Sequence, residues 1–290
     1  MDWFADRREA FDGLLIDIDG TLTTGQHSVP RAAEFLQWLR TNDVPFFLVT
    51  NDCDRSHQQK ADWLAEKGID VAPDELVSCG DALAACVVEH GITDEQVFVI
   101  GELGEPCYAR QAGLRPVRSF EALPECAAVV IGARNYDMGN TCNAVINFLV
   151  ANKDALLIVP NPDRYWPAGD NRIAIGPGSV ARFIAMVVED YCHTVSPIYL
   201  GKPNAAVFNL AIAQLEQRTG LPLAAQPERI LTLGDSLKSD IRGANRLGLT
   251  SALVLTGITS EATLHGLPPD DEKVPDLVFA GLCGPTVLPP

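Results

Sequence analysis

The stretch GLLIDIDGT, residues 13–21, sets a run of small and apolar residues directly ahead of two carboxylates, Asp17 and Asp19. A short continuous apolar run of this kind reads as a strand buried on both faces. Charges placed immediately behind such a strand are costly to desolvate unless they serve a purpose. Two carboxylates two residues apart at a strand end can bind a divalent cation, or can divide nucleophile and acid work between them. Gly20 permits a sharp turn close to a ligand, and successive backbone N–H groups there can face a phosphate. The plainer alternative is a strand-end turn with both carboxylates solvated.

Outward from this stretch, short β-rich runs alternate with helical patterns. PRAAEFLQWLR (30–40) opens with Pro at a helix start and places Ala33, Phe35, Leu36 and Leu39 mostly on one face. FFLVTN (46–51) reads as the second strand, and a helix over 55–67 follows, ended by Gly68. Further apolar runs stand at 97–101, 127–132, 155–160, 198–201, 230–235 and 251–257. Alternation of this kind predicts an α/β fold, a mainly parallel Rossmann-like sheet with helices on both faces. Three strands end in an acidic, hydroxyl or amide residue: Asp17/Asp19, Thr50/Asn51 and Asp235. Ligands in open α/β sheets gather beyond the carboxyl ends of the strands, so these residues are expected to converge. The segment 81–183 has βα units of its own but ends none of its strands in that style. The expected organisation is therefore a core from 1–80 and 184–290, interrupted by an inserted α/β domain at 81–183.

Composition narrows the partners. The 290 residues are 47% hydrophobic, enough for a sizeable core, and carry a net charge of -16. Phosphate backbones and anionic membranes select basic faces, so neither nucleic acid nor a membrane surface is an expected partner. No apolar run reaches the roughly 18 residues a membrane span needs. The first residues, MDWFADRREAFDG, lack an apolar signal core. The eight cysteines (Cys53, Cys79, Cys86, Cys107, Cys126, Cys142, Cys192 and Cys283) form no CxxC pair and read as reduced, mostly buried thiols. A cytoplasmic location is the corresponding expectation.

Two later stretches complete the set. Lys202 follows the apolar run Ile198-Tyr199-Leu200 in Gly201-Lys202-Pro203, where alone it would read as a solvated loop residue. In Gly234-Asp235-Ser236-Leu237-Lys238-Ser239-Asp240, Asp235 ends a strand, and Ser239 or Asp240 is placed to cap a helix beginning at Ile241. The order DxDGT, hydroxyl strand end, Lys, GDxxxxD resembles the haloacid-dehalogenase-like (HAD) hydrolase superfamily. The stretches FFLVTNDCDRS, VVIGARNYD, LLIVPNPDRYWPAG, YLGKPNAAVF and GDSLKSDIRGANRLGLTSALVLTG narrow the resemblance to its NagD-like and p-nitrophenyl-phosphatase-like branch, over roughly residues 12–280.

The resemblance implies a Mg²⁺-dependent phosphomonoesterase acting on a small organic phosphate. Asp17 would be the nucleophile, forming an aspartyl-phosphate, and Asp19 the acid and base. Mg²⁺ would be held by the Asp17 carboxylate, the Asp19 carbonyl and the Asp235 carboxylate, with Asp240 orienting bound water or Lys202 behind them. Gly20, Thr50, Asn51 and Lys202 would bind the phosphoryl group. Substrate choice would lie in the inserted cap, with Asn161, Arg164, Tyr165 and Trp166 as candidates and Arg134 to Asp137 next. Caps of this branch often take part in dimer contacts, so a homodimer is an expected assembly. The pattern departs from its relatives at Asp52-Cys53-Asp54, which adds two carboxylates after Thr50-Asn51. A phosphotransferase or mutase on the same scaffold, a phospho-acceptor signalling domain and a non-catalytic metabolite-binding regulator are the alternatives.

Overall fold

A computed structural model describes residues 2–168, 172–282 and 286–287. In chain order its main elements are β1 (Gly13–Ile16), α1 (Ala32–Thr41), β2 (Phe46–Thr50), α2 (His57–Ala65), β3 (Leu76–Ser78), β4 (Gln96–Ile100), β5 (Arg115–Val117), β6 (Ala128–Ile131) and α3 (Met138–Ala151). They continue with β7 (Leu156–Val159), α4 (Pro177–Tyr191), β8 (Ile198–Tyr199), α5 (Ala205–Thr219), β9 (Ile230–Gly234), β10 (Thr250–Val254) and β11 (Leu277–Phe279).

Seven strands form the first sheet in the order Thr286–Val287, β11, β10, β9, β1, β2, β3, all pairs parallel among β1, β2, β9, β10 and β11. Its central strands are mostly apolar because both faces are covered, with Thr50, Thr232 and Ser251 among the buried exceptions. Leu14, Ile16, Phe46, Leu48, Leu231 and Leu233 face one core, with Phe35, Leu36 and Leu39 of α1. Leu15, Phe47, Val49 and Ile230 face the other, with Val207, Phe208, Ala211 and Leu215 of α5. The α1 stripe differs by one position from the sequence reading: Ala32 is buried and Ala33 exposed. Pro30 lies ahead of the helix, since Arg31 takes a left-handed conformation (φ 66°) and the helix begins only at Ala32.

A second, five-stranded parallel sheet runs β8, β7, β6, β4, β5. Phe98, Ile100, Val129, Ile131, Leu157 and Val159 close one of its faces against α3 and α4 through Val145, Phe148, Leu149, Ile184 and Val188. The chain divides into two compact units, one from 1–50, 60–77 and 202–290, the other from 51–59 and 78–201. The return to the first unit therefore comes at Lys202, not after residue 183. The physical reason is β8, whose Ile198 and Tyr199 pair with Ile158 and Val159 and so extend the second sheet.

Cys53, Cys79, Cys86, Cys107, Cys126, Cys142 and Cys192 are free thiols, and Cys283 lies outside the described residues. Burial pushes the Cys86 thiol up to about 11, away from nucleophilic use. Among the described residues, no helix is long and apolar enough to cross a membrane.

Candidate active site

Asp17 is the first residue beyond β1, and Asp235 the first beyond β9, its parallel neighbour. From β1 the chain proceeds to β2 on one side, and from β9 to β10 on the other. Connections leaving adjacent strands in opposite directions open a crevice between their carboxyl ends, and that is where these carboxylates stand. Carboxylate oxygens of Asp17, Asp235 and Asp240 lie within 4.8 Å of one another, and all three residues are buried.

Lys202 binds the cluster together. Its Nζ donates to Asp17 Oδ1 at 2.6 Å and to the Val49 carbonyl at 2.8 Å, and lies 2.7 Å from Asp240 Oδ1. Asp240 also accepts from the Ser236 N–H at 3.1 Å. The helix cap is Ser236, whose hydroxyl accepts from Ser239 N–H; Ser239 and Asp240 do not cap it. A π-helical turn over Leu237–Ile241 brings Asp240 back to the buried lysine instead.

Three carboxylates against one ammonium leave an excess of negative charge in a buried place. Burial, with Asp240 and Asp235 beside it, pushes the Asp17 carboxyl well above its ordinary range, against the pull of Lys202. Burial and Asp240 raise Asp235 to about 7. Burial alone would lower Lys202, but Asp17 and Asp240 more than offset it and keep the ammonium charged. An all-oxygen donor set with surplus negative charge fits a hard divalent cation such as Mg²⁺.

The backbone around the cluster is tightly built. Gly20 has φ +95°, and a Cβ there would stand 2.1 Å from Asp235 Oδ2. Its N–H is already given to the Thr23 carbonyl at 2.6 Å. What Gly20 offers the site is thus the missing side chain, rather than the phosphate-facing N–H its sequence suggested. The loop after β10 fixes the other side: Thr256 Oγ1 donates to the Gly20 carbonyl at 2.6 Å, and Ile258 N–H to Asp235 Oδ2 at 2.6 Å. Thr21 Oγ1 donates to Asp17 Oδ2 at 3.2 Å.

Asp19 differs from its neighbours, with its side chain 56% exposed and 3.4 Å from Lys60 Nζ. Lys60 is buried on α2, 4.6 Å above the Trp63 ring, and nothing in the sequence singled it out. A lysine three residues ahead of a tryptophan on one helix was the only available signal. Thr50, buried, ends β2 one strand over from Asp17.

Asn51 begins the second unit, where its Nδ2 donates to Asp163 Oδ1 at 3.1 Å. A Cβ on Gly201 would come within 2.4 Å of Asn51 Oδ1, so glycine there leaves room for the amide. Asn161 is buried and accepts from Asp163 N–H at 2.8 Å. Arg164 and Tyr165 are exposed, and the Trp166 ring lies 5.5 Å from the Arg134 guanidinium. The two added carboxylates are ion-paired within this unit: Asp52 with Arg55 at 2.9 Å, and Asp54 with Arg134 at 2.8 Å.

A family model described as haloacid dehalogenase-like hydrolase matches residues 14–115, and a second, described as HAD-hydrolase-like, matches 199–283. D-glycerol 3-phosphate phosphatase of Mycobacterium tuberculosis is 29% identical over 250 residues, 86% of this chain but only 64% of that enzyme's length. Dihydroxyacetone phosphatase of Corynebacterium glutamicum is 27% identical, over 88% of this chain and 84% of its own. The magnesium-bound crystal structure of glycerol phosphate phosphatase from M. tuberculosis superposes with a TM-score of 0.77 at 27% identity, covering 94% of this chain and 76% of that one.

Proposed function

The chain belongs to the haloacid-dehalogenase-like hydrolases, in the branch of NagD-like and p-nitrophenyl-phosphatase-like enzymes, and from that we propose that it is a Mg²⁺-dependent phosphomonoesterase for a small organic phosphate. The observation that carries the reading is Lys202 Nζ set between the Asp17 and Asp240 carboxylates beside Asp235. A cation fixed against a buried carboxylate is what an aspartate needs to meet a phosphate dianion.

An oxygen of Asp17 attacks the phosphorus, and the bond from phosphorus to the leaving oxygen breaks. Asp19, open to solvent and bordered by Lys60, gives that oxygen its proton. Water then attacks the phosphorus of the aspartyl-phosphate and loses a proton to Asp19, which frees inorganic phosphate and the Asp17 carboxylate. Lys202 remains charged throughout and neutralises the transferring group. Asp240 holds Lys202 in place, and Thr50 and Asn51 hydrogen-bond the phosphoryl oxygens. The carboxylates of Asp17 and Asp235 and the Asp19 carbonyl would hold Mg²⁺, which would supply the positive charge that the cluster lacks.

The test is phosphate release from a panel of phosphomonoesters, with and without Mg²⁺, for the wild type and Asp17→Asn. The expected outcome is release only with metal and none from the variant, whose circular dichroism shows it folded. Robust turnover by Asp17→Asn, or metal-independent release, would overturn the reading.

A further inference from the structure

The second unit contains a polar cavity of about 320 Å³ that the phosphatase reading does not use. Its walls come from the carboxyl ends of three adjacent strands: Glu102 to Glu105 after β4, Arg118 after β5 and Arg134 after β6, joined by Asp54 and Arg55. From β4 the chain goes to β5 on one side, whereas from β6 it goes to β7 on the other. This is the same reversal that places Asp17 and Asp235 in the first unit, and it marks a ligand crevice in an open parallel sheet.

We propose that this cavity binds the oxyanion of a small hydroxylated molecule, with Arg118 taking the anion and Glu102 and Glu105 accepting from its hydroxyls. The walls are pre-formed. Ala133 N–H donates to the Glu102 carbonyl at 2.9 Å, Glu102 N–H donates to the Ala133 carbonyl at 2.6 Å, and Gly132 N–H donates to the Ile100 carbonyl at 2.9 Å. Arg134 and Asn135 are consecutive residues in the left-handed region (φ 52° and 51°), a strain that persists only where the surroundings fix it. Gly101 is also left-handed, and a Cβ there would strike the Ala133 and Arg134 carbonyls at 2.5 Å.

The charges are arranged unequally. Asp54, its side chain 7% exposed, holds Arg134 at 2.8 Å and lies 3.7 Å from Arg55. Those two guanidiniums are committed. Arg118 donates to the Gly101 carbonyl, and among the described residues no carboxylate lies within ion-pair distance of it. Its exposed planar fork matches a carboxylate or phosphate in two-point contact. The anion is a small free effector, and the proposal needs only the cavity.

The experiment uses the full chain as wild type, Arg118→Ala and Arg118→Lys, all checked for equal thermal unfolding. Malate, a hydroxylated dicarboxylate with no phosphate, is titrated calorimetrically. In parallel, kcat/KM is measured for glycerol 3-phosphate with and without malate. Malate binding weakens by about tenfold in Arg118→Ala, with partial rescue by lysine, and malate alters glycerol 3-phosphate turnover in the wild type but not in Arg118→Ala. Equal behaviour of wild type and Arg118→Ala in every arm overturns the proposal. Failure of the wild type on every phosphomonoester would overturn the phosphatase reading instead, and the calorimetry would still decide the cavity.

Discussion

Lys202 is buried with two carboxylates on its ammonium, so its removal has consequences beyond chemistry. Lys202→Met should lower stability at neutral pH by about 3–5 kcal/mol, the usual cost of leaving one side of a buried ion pair uncompensated. Urea unfolding checks this, and a variant as stable as the wild type would mean that the carboxylates are already neutral. Asp19→Asn should instead leave stability nearly unchanged and reduce turnover by ~10²–10⁴, as expected for a lost general acid. At this scale, residues attached to strand ends were legible in the sequence: Asp17, Thr50 and Asp235 stand where an apolar run stops. Lys60 and Thr256 were not, because each reaches its partner across a fold that local sequence does not encode. Asp240 does not cap a helix, a task that falls to Ser236, but it does lie against Lys202 as the resemblance implied.

Among elements, α1 is tied to the turn before β3 by Arg40, which donates to both oxygens of Glu75 at 2.9 and 2.6 Å. Glu75 also accepts from Ala72 N–H at 2.9 Å. Burial alone would raise its carboxyl, but these bonds hold it below the ordinary value of 4.5. As pH falls, the unfolded chain takes up this proton before the folded one. The contribution is therefore complete above about pH 4.5 and is lost below it. Glu75→Gln should cost about 1–3 kcal/mol at pH 7 and flatten the acid-side fall of stability, measured as denaturant midpoints from pH 7 to pH 3. A slope identical to that of the wild type would place the acid sensitivity elsewhere. The strands were legible because burial on both faces leaves the central ones few polar positions. On α1, Phe35, Leu36 and Leu39 are buried as their spacing indicated, and only Ala33 gives its place to Ala32.

For the whole molecule, a cation that relieves the carboxylate cluster must bind the folded chain more tightly than the unfolded one. Mg²⁺ should therefore raise the unfolding temperature of the wild type, with about 2.7 kcal/mol of stabilisation at a hundred times its Kd. Asp235→Ala should abolish most of that rise, whether or not any substrate is found. A metal-independent unfolding temperature in both proteins would remove the cation from the site. The sequence led to an expected insertion ending at residue 183 and not to β8 in the second sheet, because a two-residue strand carries no signature of the sheet it joins.

That interleaving has a consequence for how the protein is made. The second unit is complete once residue 201 has been synthesised, while the first still lacks 202–290. The inserted sheet can thus close before its host does. Asp17 precedes the second unit, and the last carboxylates of its cluster follow more than two hundred residues later. At the usual ~5–20 residues per second, the nascent chain carries only the first carboxylate of that cluster for roughly 10–45 s. Until those residues follow, Asp17 has neither Lys202 to balance it nor Asp235 to crowd it, so the charge of the finished cluster arises only after the second unit is complete.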